Sequence, residues 1–159
     1  MNDINKYEYA VKAIKQAVEK SRYRAAKAGN AELLSLYYGI GKYVSENTRN
    51  GTWGTDAIKT ISDRLKSELV GMRGFSETNI KNMRLFYEEW KPYVSRQPLA
   101  DDLEVNEESF LLAIRQPVAG EINWNEFISL GFTHHMEILS KTKNIEERIF
   151  YIHECATRA

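Results

Sequence analysis

The chain has 159 residues, 43% of them hydrophobic and 28% charged, which is enough apolar material for the core of one domain. Its 22 basic and 22 acidic side chains cancel, which argues against a histone-like polyanion binder but leaves room for a local basic surface. A single cysteine, Cys155, excludes an internal disulfide, and no apolar run approaches the ~20 residues of a membrane helix. We therefore expect a cytoplasmic protein without a membrane partner.

Two long helices are predicted at the start of the chain. Apolar residues at three- and four-residue steps predict the first over Asp3–Ala28, with Asp3 as a candidate N-cap and Gly29 in its stop signal. The same spacing predicts the second over 31–47. Glycine costs about 1 kcal/mol in a helix interior relative to alanine. Gly39 and Gly41 inside this helix therefore indicate that another backbone approaches it closely.

A third and a fourth helix are predicted around a turn at 70–75. The third covers 55–69, and the fourth begins after Ser76, a good N-cap residue, and continues to Trp90. The fourth helix should turn one apolar face inward, formed by Ile80, Met83, Tyr87 and Trp90.

The next stretch, 91–121, differs in composition because it holds all three prolines. Its apolar run 110–114 fits either a strand or a buried turn of helix. Two further helices are predicted over 133–143 and 145–157. We therefore predict a mainly α fold, a multi-helix domain with a helix-turn-helix or winged-helix-like core. Residues 1–93 would form a helix-turn-helix-like DNA-binding lobe, 94–120 a connection or wing with a possible small β-hairpin, and 121–159 a helical pair packed on the lobe.

The third helix, the turn and the Ser-capped fourth helix resemble a helix-turn-helix, whose second helix enters the major groove of DNA. Asparagine pairs with adenine edges, and lysine and arginine bind phosphates. The candidate DNA-binding residues are Arg73, Ser76, Thr78, Asn79, Lys81, Asn82 and Arg84, with further phosphate contacts from Lys59, Arg64, Lys66 and Lys91. The alternative is an ordinary antiparallel helix pair with a solvated polar face, because this turn is longer than in the tight motif.

Aromatic side chains are numerous, with nine Tyr, three Trp and six Phe. They could stack on unpaired bases, but helical spacing assigns most of them to core faces: Tyr37, Phe75, Tyr87, Phe150 and Tyr151. Trp53, between two helices, is predicted to fill a corner of the core.

The residue types that form metal and catalytic sites are sparse. His134, His135, His153 and Cys155 lack the paired spacing of a zinc site, and adjacent histidines on a helix point about 100° apart. One histidine is expected to pack in the core and bond a backbone carbonyl. The sequence also has no glycine-rich phosphate loop. We predict no catalytic residue, no metal ligand and no small-molecule cofactor, and expect that no nuclease signature lies in this chain.

Several ordered blocks of the sequence resemble the DUF1016 (YhcG-like) N-terminal domain family. They are residues 30–42 (NAELLSLYYGIGK), Trp53-Gly54, residues 74–87 (GFSETNIKNMRLFY), residues 132–139 (FTHHMEIL) and residues 148–152 (RIFYI). One departure is Phe132, where the family commonly has Trp, and a bulky aromatic is kept there.

The resemblance implies a winged-helix-like DNA-binding or targeting unit, usually joined to a C-terminal PDDEXK-type nuclease domain in bacterial proteins. It therefore favours a truncated chain or a solitary N-terminal domain that is not itself an enzyme, with double-stranded DNA as its partner. The alternative is a protein-interaction module, a homodimer or a partner-binding domain, that positions a nuclease.

Overall fold

A computed structural model describes residues 7–93 and 122–158. These two ranges are mainly helical, as predicted, and contain no strand. The predicted wing or hairpin at 94–120 lies outside the described residues. So does the proposed N-cap, Asp3. The α-helices are α1 (Glu8–Ala28), α2 (Asn30–Arg49), α3 (Ala57–Glu68), α4 (Glu77–Trp90), α5 (Trp124–Ser129), α6 (Phe132–Lys141) and α7 (Ile145–Thr157), with a 3-10 turn at Lys91–Tyr93.

The junction between α1 and α2 depends on Gly29. Its φ of 67° lies in the left-handed region, which glycine adopts without a side-chain clash. The first helix therefore ends there and the second begins at Asn30. Together they bury an apolar face that includes Val11, Ile14 and Leu34.

The most extensive helix–helix contact joins α2 to α4. A β-carbon added at Gly41 would overlap the carbonyl oxygen of Met83, lie 2.6 Å from that carbonyl carbon and 3.0 Å from the β-carbon of Tyr87. The close backbone approach predicted from the two glycines is thus confirmed at Gly41. The α4 backbone can lie this near α2 only because Gly41 has no side chain.

The inward face of α4 is the one predicted, with Phe86 added to it. Ile80, Met83, Phe86, Tyr87 and Trp90 are all buried. The Phe86 and Trp90 rings continue the core into the C-terminal helices. Phe127 stacks on Phe86 at 6.0 Å between centroids and meets Trp90 edge-on at 4.9 Å. The described helices consequently share one hydrophobic cluster.

Helix α5 was not predicted from the sequence. It has only six residues, and its N-cap Asn123 accepts hydrogen bonds from the backbone N–H groups of Asn125 and Glu126. At its C-terminal end, backbone carbonyls accept hydrogen bonds from a residue that is distant in sequence. The Asn30 side-chain Nδ2 donates to the carbonyls of Ile128 and Leu130 at 2.7 and 2.6 Å.

Two aromatic residues contradict the sequence prediction. Phe150 and Tyr151 are 56% and 47% exposed, not buried. The core face of α7 runs through Arg148 and Ile152, because residues four apart on a helix share a face and 150–151 lie away from it. Tyr37, Phe75 and Tyr87 are buried as predicted.

Trp53 fills a corner of the core as predicted. It is half-buried and meets Tyr7 and Tyr43 edge-on, at 6.2 and 5.6 Å between centroids. Among the residues described, no helix is long and apolar enough to cross a bilayer.

Candidate nucleic-acid interface

The turn before α4 is fixed by its own residues. Gly74 has a φ of 104°, and the Nδ2 of Asn79 donates to its carbonyl oxygen at 2.6 Å. The Ser76 hydroxyl accepts a hydrogen bond from the Asn79 backbone N–H at 3.1 Å. This bond confirms Ser76 as the N-cap, as predicted. The Ser62 hydroxyl of α3 donates to the Phe75 carbonyl at 2.7 Å. Ser76 and Asn79, both predicted to contact DNA, therefore also hold the turn.

This arrangement differs from a tight helix-turn-helix. Residues 69–76 separate α3 from α4, and α4 packs more extensively on α2 than on α3. The N-terminal turns of α4 nevertheless remain open on their outer side. There Thr78 and Lys81 are exposed, Asn82 is half-buried, and Arg73 is exposed in the preceding turn.

The charges around these residues have mixed signs. Lys81 pairs with Glu77 at 3.0 Å within α4, and both side chains remain substantially exposed. On α3, Lys59 and Lys66 are exposed, whereas Arg64 pairs with Glu68 at 3.3 Å. The remaining predicted phosphate contact, Lys91, lies 5.8 Å from the centroid of the Tyr87 ring.

Arg84 lies one turn after Lys81, at the edge between α4 and the C-terminal end of α2. Its Nη1 donates to the Thr48 Oγ1 at 3.2 Å. Burial and then the neighbouring charge of Arg49 lower the pKa of Arg84, while Glu88 acts in the opposite sense. Sequence reasoning missed Thr48 and Arg49 as neighbours, because no local pattern connects α2 to α4 across 36 residues.

The histidines and Cys155 are dispersed. His135 is fully buried and its Nε2 lies 2.8 Å from the Phe127 carbonyl oxygen, which confirms the predicted core histidine. His153 and Cys155 are exposed, and the Nδ1 of His153 lies 2.8 Å from a Glu126 carboxylate oxygen. Within the described ranges, no three His, Cys, Asp or Glu residues are placed to hold a metal ion.

Contrary to our expectation, the chain does contain one Glu-x-Lys triplet, the spacing found in PDDEXK nuclease sites. It is Glu89-Trp90-Lys91, at the end of α4. Here the Glu89 carboxylate accepts a hydrogen bond from Arg148 at 2.6 Å, and the Trp90 side chain is in the core. The triplet therefore contributes to packing between α4 and α7.

The sequence-family model of the DUF1016 N-terminal domain matches residues 13–159. The chain belongs to this family. Comparisons with curated proteins and with solved structures return no match.

Several residues in the DUF1016 blocks stabilise the fold of this chain. Asn30 caps two carbonyls at the C-terminal end of α5, and the lack of a side chain at Gly41 allows the α4 backbone to lie close. Gly74 supplies a positive φ in the turn, and Arg148 joins α7 to Glu89 of α4. These blocks therefore account for the fold of the domain. The candidates for binding are the exposed residues within the block at 74–87 and immediately before it.

Proposed function

We propose that this DUF1016 domain is a DNA-binding or targeting domain, with the turn at 69–76 and the N-terminal half of α4 as its contact surface. The observation that carries the proposal is the open outer side of α4, where Thr78 and Lys81 are exposed, together with the exposed Arg73 in the preceding turn. In this proposal the domain acts in the cytoplasm. Following the family resemblance, it delivers a PDDEXK-type nuclease domain to duplex DNA.

The geometry supports different roles for the candidate residues. Thr78 and Asn82 have side chains suited to base edges, whereas Arg73 and Lys81 supply charge for phosphates. The α4 N-terminus adds the partial positive charge of its backbone N–H groups. Asn79 is less suited to read adenine, since its amide N–H group is already bonded to the Gly74 carbonyl.

Acidic residues limit where DNA can lie. Glu89 lies in the last turn of α4 and is paired with Arg148, so this pair offers phosphates no net positive charge. Lys59 and Lys66 are exposed on α3. A duplex is therefore expected to cross the N-terminal half of α4, between α3 and the edge that α4 forms with the end of α2, and not to run along the whole length of α4.

A mobility-shift titration of a duplex at low salt tests the proposal. Arg73→Glu and Lys81→Glu should weaken binding uniformly across sequences, and the slope of log K against log salt should fall by about 1 for each phosphate that the protein no longer neutralises. Lys12→Glu, on the exposed side of α1, is the charge-matched control. If the wild-type chain does not retard DNA at low salt, this function is wrong.

A second candidate function, protein interaction, is favoured by the exposed aromatic pair on α7. The Phe150 and Tyr151 rings lie 5.2 Å apart, edge to face. They line a groove of about 380 Å³ together with Lys141, Glu146 and Glu147. Exposed aromatic residues of this kind are enriched in protein interfaces. Light scattering over a concentration series, on wild type and on a Phe150→Ser, Tyr151→Ser double variant, would detect self-association through this face.

A further inference from the structure

Two arginines with only one carboxylate between them lie at the edge where the end of α2 meets α4. Arg49 Nε and Nη2 donate to the two oxygens of Glu88 at 2.9 and 3.1 Å. The Ser45 hydroxyl donates to the same carboxylate at 2.8 Å. Glu88 is thus occupied by Arg49 and Ser45, while Arg84 is bonded only to a hydroxyl among the residues described.

Thr48 accepts the hydrogen bond from Arg84. Its Oγ1 donates its own proton to the Val44 carbonyl at 2.7 Å, so its oxygen lone pairs face the guanidinium of Arg84. A neutral hydroxyl can orient a guanidinium but cannot neutralise it. Arg49, Arg84 and Glu88 together carry a net charge of about +1 at neutral pH.

Another arginine of this chain, Arg148, shows how a guanidinium is held when it has both a hydroxyl and a carboxylate as partners. Arg148 also meets a threonine hydroxyl, since its Nε donates to Thr142 Oγ1 at 3.2 Å. In addition, its Nη1 donates to the Glu89 carboxylate at 2.6 Å. Arg84 has the hydroxyl and lacks a carboxylate within ion-pair distance in the described part of the chain. Its Nε and Nη2 donors are consequently available for an anion.

We propose that Arg84, oriented by Thr48, and Arg49 form a binding site for a phosphate-type anion at the α2–α4 edge. Guanidinium groups bind phosphate oxygens through two parallel N–H donors, and Arg49 keeps its Nη1 for this purpose. The lowered pKa of Arg84 has the same origin, because burial and the Arg49 charge both oppose its cation and an anion would favour it.

The identity of the natural ligand rests on the function proposed above. If the domain binds DNA, the anion is a backbone phosphodiester, and the site lies beside Lys81, one turn earlier on α4. A free phosphate group has the same chemistry. The two sources are distinguished by separate experiments.

The first experiment uses inorganic phosphate without DNA. Phosphate, compared with chloride at equal ionic strength, should raise the melting temperature of the wild type and give a saturable binding isotherm. Arg84→Gln should weaken phosphate binding at least tenfold, and Arg84→Lys should recover part of it, because lysine restores the charge without the planar fork. Lys12→Gln is the control and should bind phosphate as the wild type does. Equal phosphate responses in wild type and Arg84→Gln would overturn the site.

The second experiment uses duplex DNA. Arg84→Gln should lower the slope of log K against log salt by about 1 and weaken affinity for every sequence alike. If DNA binds and this variant changes neither quantity, the DNA-binding function stands and the site does not take a backbone phosphodiester. The phosphate titration then decides whether the site exists, with a free phosphate group as its ligand. If DNA does not bind but phosphate does, and Arg84→Gln abolishes phosphate binding, the site stands and the function is wrong. Circular dichroism should show both Arg84 variants to be folded, since Arg84 holds no carboxylate in place.

Discussion

Acid should destabilise this domain through one buried side chain, His135. Its Nε2 lies 2.8 Å from the Phe127 carbonyl oxygen, which can only accept, so the neutral ring carries its hydrogen on Nε2. Its Nδ1 has no hydrogen-bond partner among the described residues. Burial lowers the pKa of His135 from 6.5 to about 4, and the bond to Phe127 only partly opposes this effect.

The sign and size follow from proton linkage. Between pH 6.5 and about 4 the unfolded chain binds a proton at His135 and the folded chain does not. Stability from this residue is therefore fully present above pH 6.5 and is lost as the pH falls, by about 1.4 kcal/mol for each unit. Over the whole interval, the free energy of unfolding should decrease by about 3 kcal/mol from this group alone.

The measurement is urea unfolding followed by circular dichroism from pH 7 to pH 4, on wild type and His135→Gln. Glutamine keeps an N–H donor for the Phe127 carbonyl and does not titrate. Subtracting the stability–pH curve of His135→Gln from that of the wild type removes the contribution of the carboxylates, which both proteins share. The wild-type advantage should shrink by about 3 kcal/mol towards pH 4. Thr133→Gln, at an exposed position on the same helix, is the control and should keep the wild-type pH dependence. A constant difference between wild type and His135→Gln would refute a buried neutral His135.

Substitutions at Gly41, Asn30 and Ser76 test the packing and capping contacts by the same unfolding measurement, with Gly54→Ala as a control. Gly41→Ala should lower the free energy of unfolding by about 3 kcal/mol or more, because the added β-carbon would overlap the Met83 carbonyl. Gly54→Ala should leave it nearly unchanged, because the nearest atom to its added β-carbon is 3.8 Å away. Asn30→Ala should lower the free energy of unfolding by about 1–3 kcal/mol, because two carbonyls lose their donor. Asn30→Asp should lower it further, because a carboxylate would face the same carbonyls. Equal stability of the wild type and both variants would contradict this capping role. Ser76→Ala should cost about 1 kcal/mol through removal of the N-cap, and an unchanged midpoint would show that water replaces the hydroxyl.

Local signals in the sequence were sufficient for most of the helices. The three-to-four-residue apolar period predicted α2, α3 and α4 to within two residues at each end. Gly29 and Ser76 marked helix boundaries, since a positive φ and an N-cap hydroxyl are requirements of single positions.

The periodicity was less informative where helices are short or aromatic-rich. Helix α5 has six residues, too few for a period to be recognised. In α7, helical spacing predicted that Phe150 and Tyr151 lie on the core face, but the helix is rotated so that Arg148 and Ile152 face the core. Which face a helix buries depends on the partner it packs against, and that partner is distant in sequence.

The candidate site shows the same division. Helical spacing placed Thr78 and Lys81 on the outer side of α4, because they lie off its apolar face. Only the tertiary structure decided that Arg84 meets Thr48 and Arg49 of α2, and that Asn30 reaches carbonyls 98 and 100 residues away. The sequence by itself determined what repeats along one helix. The approach of α4 to α2 over Gly41 decided which polar side chains come together, since contacts between distant segments leave no local period.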